Sequence, residues 1–150
     1  EVLLRKSSFF YSARRYEESI RPCQDAINID PKCAQAYAFM GNAFNKLEKI
    51  DEAMKYYVKA VEAEPTMVLA HFNLGGIYLR KGREQDALNK YLKIIELDPD
   101  FLPAHINLAS IYLEWRRYDD AFKEWKEILR IDPNNAEAKR NIGLYNLNIR

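Results

Sequence analysis

Asp30-Pro31, Glu64-Pro65, Asp98-Pro99 and Asp132-Pro133 are one acid-proline pair met four times, the prolines falling an unbroken 34 residues apart. A fixed period of this length decides the architecture before any other signal, because each unit must stack on its neighbours to bury an apolar face. The residues between the prolines return in register. One unit reads His71-x2-Leu74-Gly75-x2-Tyr78, then Ala87-x3-Tyr91 and Pro99. The unit before it has Tyr37, Met40, Gly41, Phe44, Ala53, Tyr57 and Pro65, and the unit after it His105, Leu108, Ala109, Tyr112, Ala121, Trp125 and Pro133.

Large aromatic, Leu-Gly, Tyr, Ala, aromatic and Pro at this spacing resemble the tetratricopeptide repeat (TPR), with seven positions matched in each of three tandem units. The resemblance covers essentially all of the chain. It implies an all-α fold, a right-handed α-solenoid of antiparallel helix pairs whose first helices line a concave groove. The expected organisation is one TPR domain over 1–150, with units at 1–33, 34–67, 68–101 and 102–135 and a terminal helix at 136–150.

Composition agrees with a packed fold: 48% hydrophobic and 13% aromatic residues in 150. A net charge of +1 supplies no global field for nucleic acid or a membrane surface. No apolar run is long enough to insert in a bilayer. The chain opens on Glu1 inside an apolar-periodic segment, so it reads as a piece of something longer. Cys23 and Cys33 are expected as reduced thiols, since stacked repeats need no staple, and this points to a cytoplasmic protein.

Along the chain, helices are expected near 34–46 and 51–63, 68–81 and 84–96, and 102–114 and 118–130. Apolar steps of three and four residues mark them, acids open the second helix of each pair, and the residue before proline closes it. Gly41 and Ala53 are small where two helices approach closely, and Gly82 falls in a turn. The first unit is degenerate, with Pro22 inside its second helix, where a kink is expected. The tail carries Lys139, Ile142, Gly143 and Asn146 at first-helix positions; it is either a cap or half of a fifth unit, and Leu144, Leu147 and Ile149 leave both open.

Nothing in the chain points to catalysis or a cofactor. There is no phosphate-binding glycine loop, no nucleophile motif and no His or Cys cluster with metal spacing. His71 and His105 repeat at one position and are read as core replacements for the aromatic Tyr37. Binding is better supported. Asn73, Asn107 and Asn141 recur at 34-residue steps, and in TPR proteins their position faces the groove. This row resembles the asparagine ladder of O-GlcNAc transferases and kinesin light chains. An amide can pair with both polar groups of an extended peptide backbone; the alternative is that these amides cap neighbouring backbone. Arg5 and Phe39 hold the position in the early units.

The family pattern places Phe39, Asn42, Leu69, Phe72, Leu79, Ile106 and Leu113 on the same face, together with Leu4 and Tyr11. Three amides at about 0.5–1.5 kcal/mol each fall short of micromolar affinity, so apolar anchors are required as well. TPR domains that clamp the acidic tails of heat-shock chaperones place lysine and arginine in this groove. Here the matching positions hold Ala38, Asn42, Asn73, Pro103 and Asn107, or in the other register Leu4, Ser8, Phe39, Leu69 and Asn73. That excludes a chaperone-tail clamp. Arg14-Arg15, Lys49, Arg80-Lys81, Arg83 and Arg116-Arg117 line one edge, but acids open the helices beside them and neutralise it locally. Trp115 is either an exposed anchor or folded back onto Tyr118. The expected function is a non-catalytic interaction module that binds a protein or peptide partner, without cofactor, nucleic acid or membrane insertion. The alternatives are a self-assembling stack and the substrate-recruiting arm of a larger enzyme.

Overall fold

Each acid-proline pair starts a tight turn. Asp30 is extended, its carbonyl accepts from the Cys33 N–H at 3.0 Å, and its carboxylate accepts from the Lys32 N–H at 2.9 Å. Proline at the second turn position presets the backbone, and the acid side chain satisfies the amide two residues on. Asp98 and Asp132 repeat the side-chain bond, to the N–H groups of Asp100 and Asn134.

A computed structural model describes residues 1–148, and among them the chain is helical with no strand. The helices are α1 (Val2–Ser12), α2 (Tyr16–Ile29), α3 (Ala34–Lys46), α4 (Ile50–Ala63), α5 (Val68–Arg80), α6 (Glu84–Leu97), α7 (Leu102–Glu114), α8 (Tyr118–Ile131) and α9 (Ala136–Asn148). They fall within a residue or so of the expected spans. Ile149 lies outside the described residues. α2 runs unbroken through the buried Pro22.

Three-residue turns join α1 to α2, α3 to α4, α5 to α6 and α7 to α8, with one mechanism throughout. The middle residue is left-handed: Arg14, Glu48, Gly82 and Arg116 have φ of 59°, 57°, 68° and 56°. Its N–H reaches back three residues and the next N–H five, as in Arg14 to Tyr11 and Arg15 to Phe10. This double closure satisfies carbonyls that the helix end leaves open. In three turns the residue after it is an arginine over the ring five residues back: Arg15 on Phe10 at 4.7 Å, Arg83 on Tyr78 at 4.6 Å and Arg117 on Tyr112 at 4.8 Å. Each arginine also pairs with the acid three residues on, Glu18, Asp86 or Asp120. These arginines of the basic edge are thus held by their own turns.

Only one of the four turns uses glycine, and a Cβ built on Gly82 meets nothing within 4 Å. Gly82→Ala therefore tests backbone strain alone. It is expected to lower stability by about 1 kcal/mol in urea unfolding.

By its internal contacts the chain forms two compact units, Glu1–Ile77 and Tyr78 onward. In the first, α1 packs on α2, α2 on α3 and α3 on α4. Gly41 approaches α4 so closely that a Cβ there would lie 2.7 Å from Tyr57 Cδ1 and Cε1. Ala53 and Ala60, on the same helix as Tyr57, are fully buried. In the second, α6 packs on α7, α7 on α8 and α8 on α9, over Ala87, Tyr91, Ile94, Leu108, Ala121 and Ile128, none more than 3% exposed.

The first helix pair shows why its sequence departs from the pattern. Ser7 stands where Gly41 stands one period later, and its Oγ donates to the Ser19 carbonyl at 2.8 Å. Cys23 stands where Tyr57 stands, and its Sγ lies 2.9 Å from Ser7 Oγ. The missing ring is replaced by a small buried hydrogen-bonded chain. Burial pushes the Cys23 thiol up, so it stays neutral, and both cysteines are free.

Candidate functional site

The histidines act on the turns. Tyr37 OH donates to the Pro31 carbonyl at 3.0 Å, and His71 Nε2 and His105 Nε2 meet the Pro65 and Pro99 carbonyls at 2.9 Å. All three side chains anchor the turn six residues before them, and both histidines are buried. Among the described residues no group of three or more His, Cys, Asp or Glu side chains could hold a metal ion.

The amides divide by what precedes them. Tyr57 OH donates to Asn42 Oδ1 at 2.6 Å, Asn73 Nδ2 donates to the same oxygen at 3.1 Å, and Asn73 also hydrogen-bonds the Tyr57 hydroxyl. Burial pushes the Tyr57 phenol well above its ordinary value, so the hydroxyl remains a donor. In the second unit the same pairing joins Tyr91 to Asn107; burial raises that phenol to about 12, and the bond to Asn107 works against the rise. Asn73 and Asn107 thus each spend part of their capacity on a buried tyrosine of the preceding helix. One step before the row begins, Phe39 follows Cys23 by sixteen residues, and Cys23 offers no phenol. At the third member of the row, Asn141, the residue sixteen before is Trp125. Among the described residues no group hydrogen-bonds the Asn141 amide.

Asn141 instead faces open space. It lines a cavity of about 610 Å³ between α7, α8 and α9, together with Leu113, Tyr118, Asp119, Trp125, Leu144 and Tyr145. A smaller cleft of about 40 Å³ shares Leu113, Trp125 and Asn141 with it and is lined also by Ile106, Ser110 and Glu137. Tyr145 closes one wall, stacked on Phe122 with centroids 4.4 Å apart and its hydroxyl donating to the Asp119 carboxylate. At the head of α9, Asn135 Oδ1 accepts from the Ala138 N–H at 3.0 Å and caps the helix.

Of the expected site residues, Ile106, Leu113 and Asn141 come together at these clefts, and Asn42 and Asn73 join at Tyr57. Phe39 is half-buried and lines a separate cleft of about 470 Å³ with Leu4, Arg5, Ser8 and Gln35. Leu69 is 65% exposed, while Phe72 and Leu79 are half-buried, and none of the three lines these clefts. The sequence reading had not placed Trp125, Tyr145, Leu144 and Asp119 at a site, nor paired Tyr57 and Tyr91 with the amides. The sixteen-residue step from aromatic to asparagine was the available signal. Trp115 is half-buried, and its indole N–H donates to Glu84. No described helix is long and apolar enough to cross a membrane.

Several known folds match. The crystal structure of a MamA protein superposes with a TM-score of 0.84 at 19% identity, over 96% of this chain and 79% of that one. YrrB, described as a TPR protein with an unusual peptide-binding site, gives 0.82 at 21% identity over 95% of this chain and 74% of its own. The first TPR of Spaghetti (RPAP3), bound to the HSP90 peptide SRMEEVD, gives 0.67 at 22% identity over 77% of this chain and 92% of that one. These likenesses establish the fold, an α-solenoid of antiparallel helix pairs. No curated protein sequence matches at a significant level. Sequence models of the TPR repeat match residues 41–82, and those of the tetratricopeptide repeat match 68–101 and 90–123. With repeats recognised from 41 to 123, more than half of its length, the chain belongs to the tetratricopeptide repeat family.

Proposed function

We propose that this chain is a non-catalytic interaction module that holds a peptide segment of a partner protein. The observation that carries this reading is the cavity of about 610 Å³, apolar at Leu113 and Trp125 and carrying the unengaged Asn141 amide. Such a site, mostly apolar with a few directed polar groups, suits a ligand held by one side chain and its adjoining backbone. Two chains of the same fold support it: YrrB is described as having an unusual peptide-binding site, and the RPAP3 repeat holds an HSP90 peptide.

In this reading Asn73, Asn107 and Asn141 hold the backbone, the first two through whatever capacity their tyrosines leave. Phe39, Asn42, Leu69 and Phe72 supply contact area in the first compact unit, and Leu79, Ile106 and Leu113 in the second. An alanine variant of all three ladder asparagines is expected to weaken a peptide selected from a display library at least tenfold, measured by equilibrium titration. Three hydrogen bonds at about 0.5–1.5 kcal/mol each set that scale. Unchanged affinity would end the ladder role.

Self-assembly is a second reading, favoured by Leu144 and Leu147, which are 54% and 69% exposed on α9. Sedimentation across a concentration series separates the two, because the peptide-binding module stays monomeric.

A further inference from the structure

The cavity at Asn141 differs from the corresponding places beside Asn73 and Asn107 in one respect with chemical consequences. There a buried phenol hydroxyl engages the amide. Here an indole replaces the phenol, and Trp125, only 6% exposed, forms part of the floor without taking the amide. Asn141 therefore keeps its donor and its acceptor, the pair of functions that one residue of an extended backbone presents. A helical ligand has no such pair to give, because its own ladder consumes it.

The charges on the walls are of one sign. Asp119 lines the larger cleft and Glu137 the smaller, the two clefts share Leu113, Trp125 and Asn141, and among the described residues no lysine or arginine lines either. The Tyr145 hydroxyl donates to the Asp119 carboxylate, which has acceptor sites to spare for a second donor. Leu113 and Trp125 line both clefts beside these acids, and Leu144 lines the larger. With a net charge of only +1 on the whole chain, this local arrangement sets the preference of the site.

Resting on the peptide-binding reading above, we infer that the site takes an extended segment in which a large apolar residue is bracketed by lysine or arginine. The apolar side chain enters between Leu113, Leu144 and Trp125, Asn141 pairs with the backbone beside it, and the basic residues meet Asp119 and Glu137. This is the opposite charge preference from the acidic HSP90 peptide held by the RPAP3 repeat.

The test is selection from a display library of random twelve-residue peptides, followed by titration of the winning sequence against variants whose helicity is checked by circular dichroism. We expect Leu, Met or Phe flanked by Lys or Arg. Asp119→Asn with Glu137→Gln keeps the shape of both side chains. It is expected to weaken the selected peptide about tenfold and, on reselection, to abolish the basic preference while the apolar one persists. Asn141→Ala is expected to weaken it about fivefold. Raising salt is expected to weaken binding to the parent protein much more than to the double variant. Selection of peptides without basic residues, or an unaltered preference in the double variant, overturns this inference and leaves peptide binding standing. Recovery of no binding sequence at all overturns both.

Discussion

Gly41→Ala is expected to lower the unfolding free energy by about 1–2 kcal/mol, although alanine is ordinarily the better helix former by up to about 1 kcal/mol. The reason is the Tyr57 ring: an added Cβ would sit 2.7 Å from two of its atoms, in the body of a side chain only 1% exposed. The ring cannot swing clear without leaving its partners, because its hydroxyl holds Asn42 and Asn73. The sign should reverse when the ring is gone. Tyr57→Ala alone is expected to cost about 3–5 kcal/mol, as large-to-small changes in cores do. In that background Gly41→Ala should become neutral or stabilising. The coupling, about 1–3 kcal/mol, is read from urea unfolding of the four proteins. Equal penalties in both backgrounds would mean that the ring is not what excludes a side chain at 41.

The second large effect belongs to the pair formed by buried His105 and half-buried Glu124. His105 Nδ1 lies 2.7 Å from Glu124 Oε2 and its Nε2 lies 2.9 Å from the Pro99 carbonyl. A carboxylate and a carbonyl accept, so the imidazolium, with an N–H on each ring nitrogen, satisfies both contacts. The Glu124 hydrogen bond raises the His105 pKa, burial opposes the rise, and the Pro99 carbonyl adds to it. A group whose folded pKa is raised stabilises fully below its unfolded value, about 6.5 for histidine. That stabilisation is lost as pH climbs through the higher folded value. Stability is therefore expected to fall as the solution is taken above about pH 6.5. Glu124→Gln should cost about 1–3 kcal/mol at pH 6 and remove most of this decline. The check is urea midpoints at pH 6 and 8; the same pH dependence in both proteins would rule out the charged ring.

The helices were legible because several signals coincide at each boundary. Around Asp98-Pro99 the acid, the proline, the apolar phase and the 34-residue register all put a turn in one place. The repeated turn into the second helices was only partly legible, since Gly82 marks one instance while Arg14, Glu48 and Arg116 adopt the same left-handed backbone unmarked. Their carbonyl-closing hydrogen bonds outweigh the strain, and composition does not record that balance. The core reading of His71 and His105 was within reach because Tyr37 holds the same register position, and all three meet the same turn carbonyl. The candidate site was harder. Register alone put Asn73, Asn107 and Asn141 in one class, but their hydrogen-bonding state depends on a side chain sixteen residues away, phenol in two cases and indole in the third. Asp119 looked like one more helix-opening acid; only the stacking of Tyr145 on Phe122 turns it into part of a wall.

Trp125 on the cavity floor also gives the molecule a built-in optical probe. The chain has two tryptophans. Trp115→Phe leaves a single emitter beneath the 610 Å³ opening. Displacement of water above that indole should shift its emission to shorter wavelength, so occupancy is readable by eye of the spectrometer, with no dye attached to either molecule.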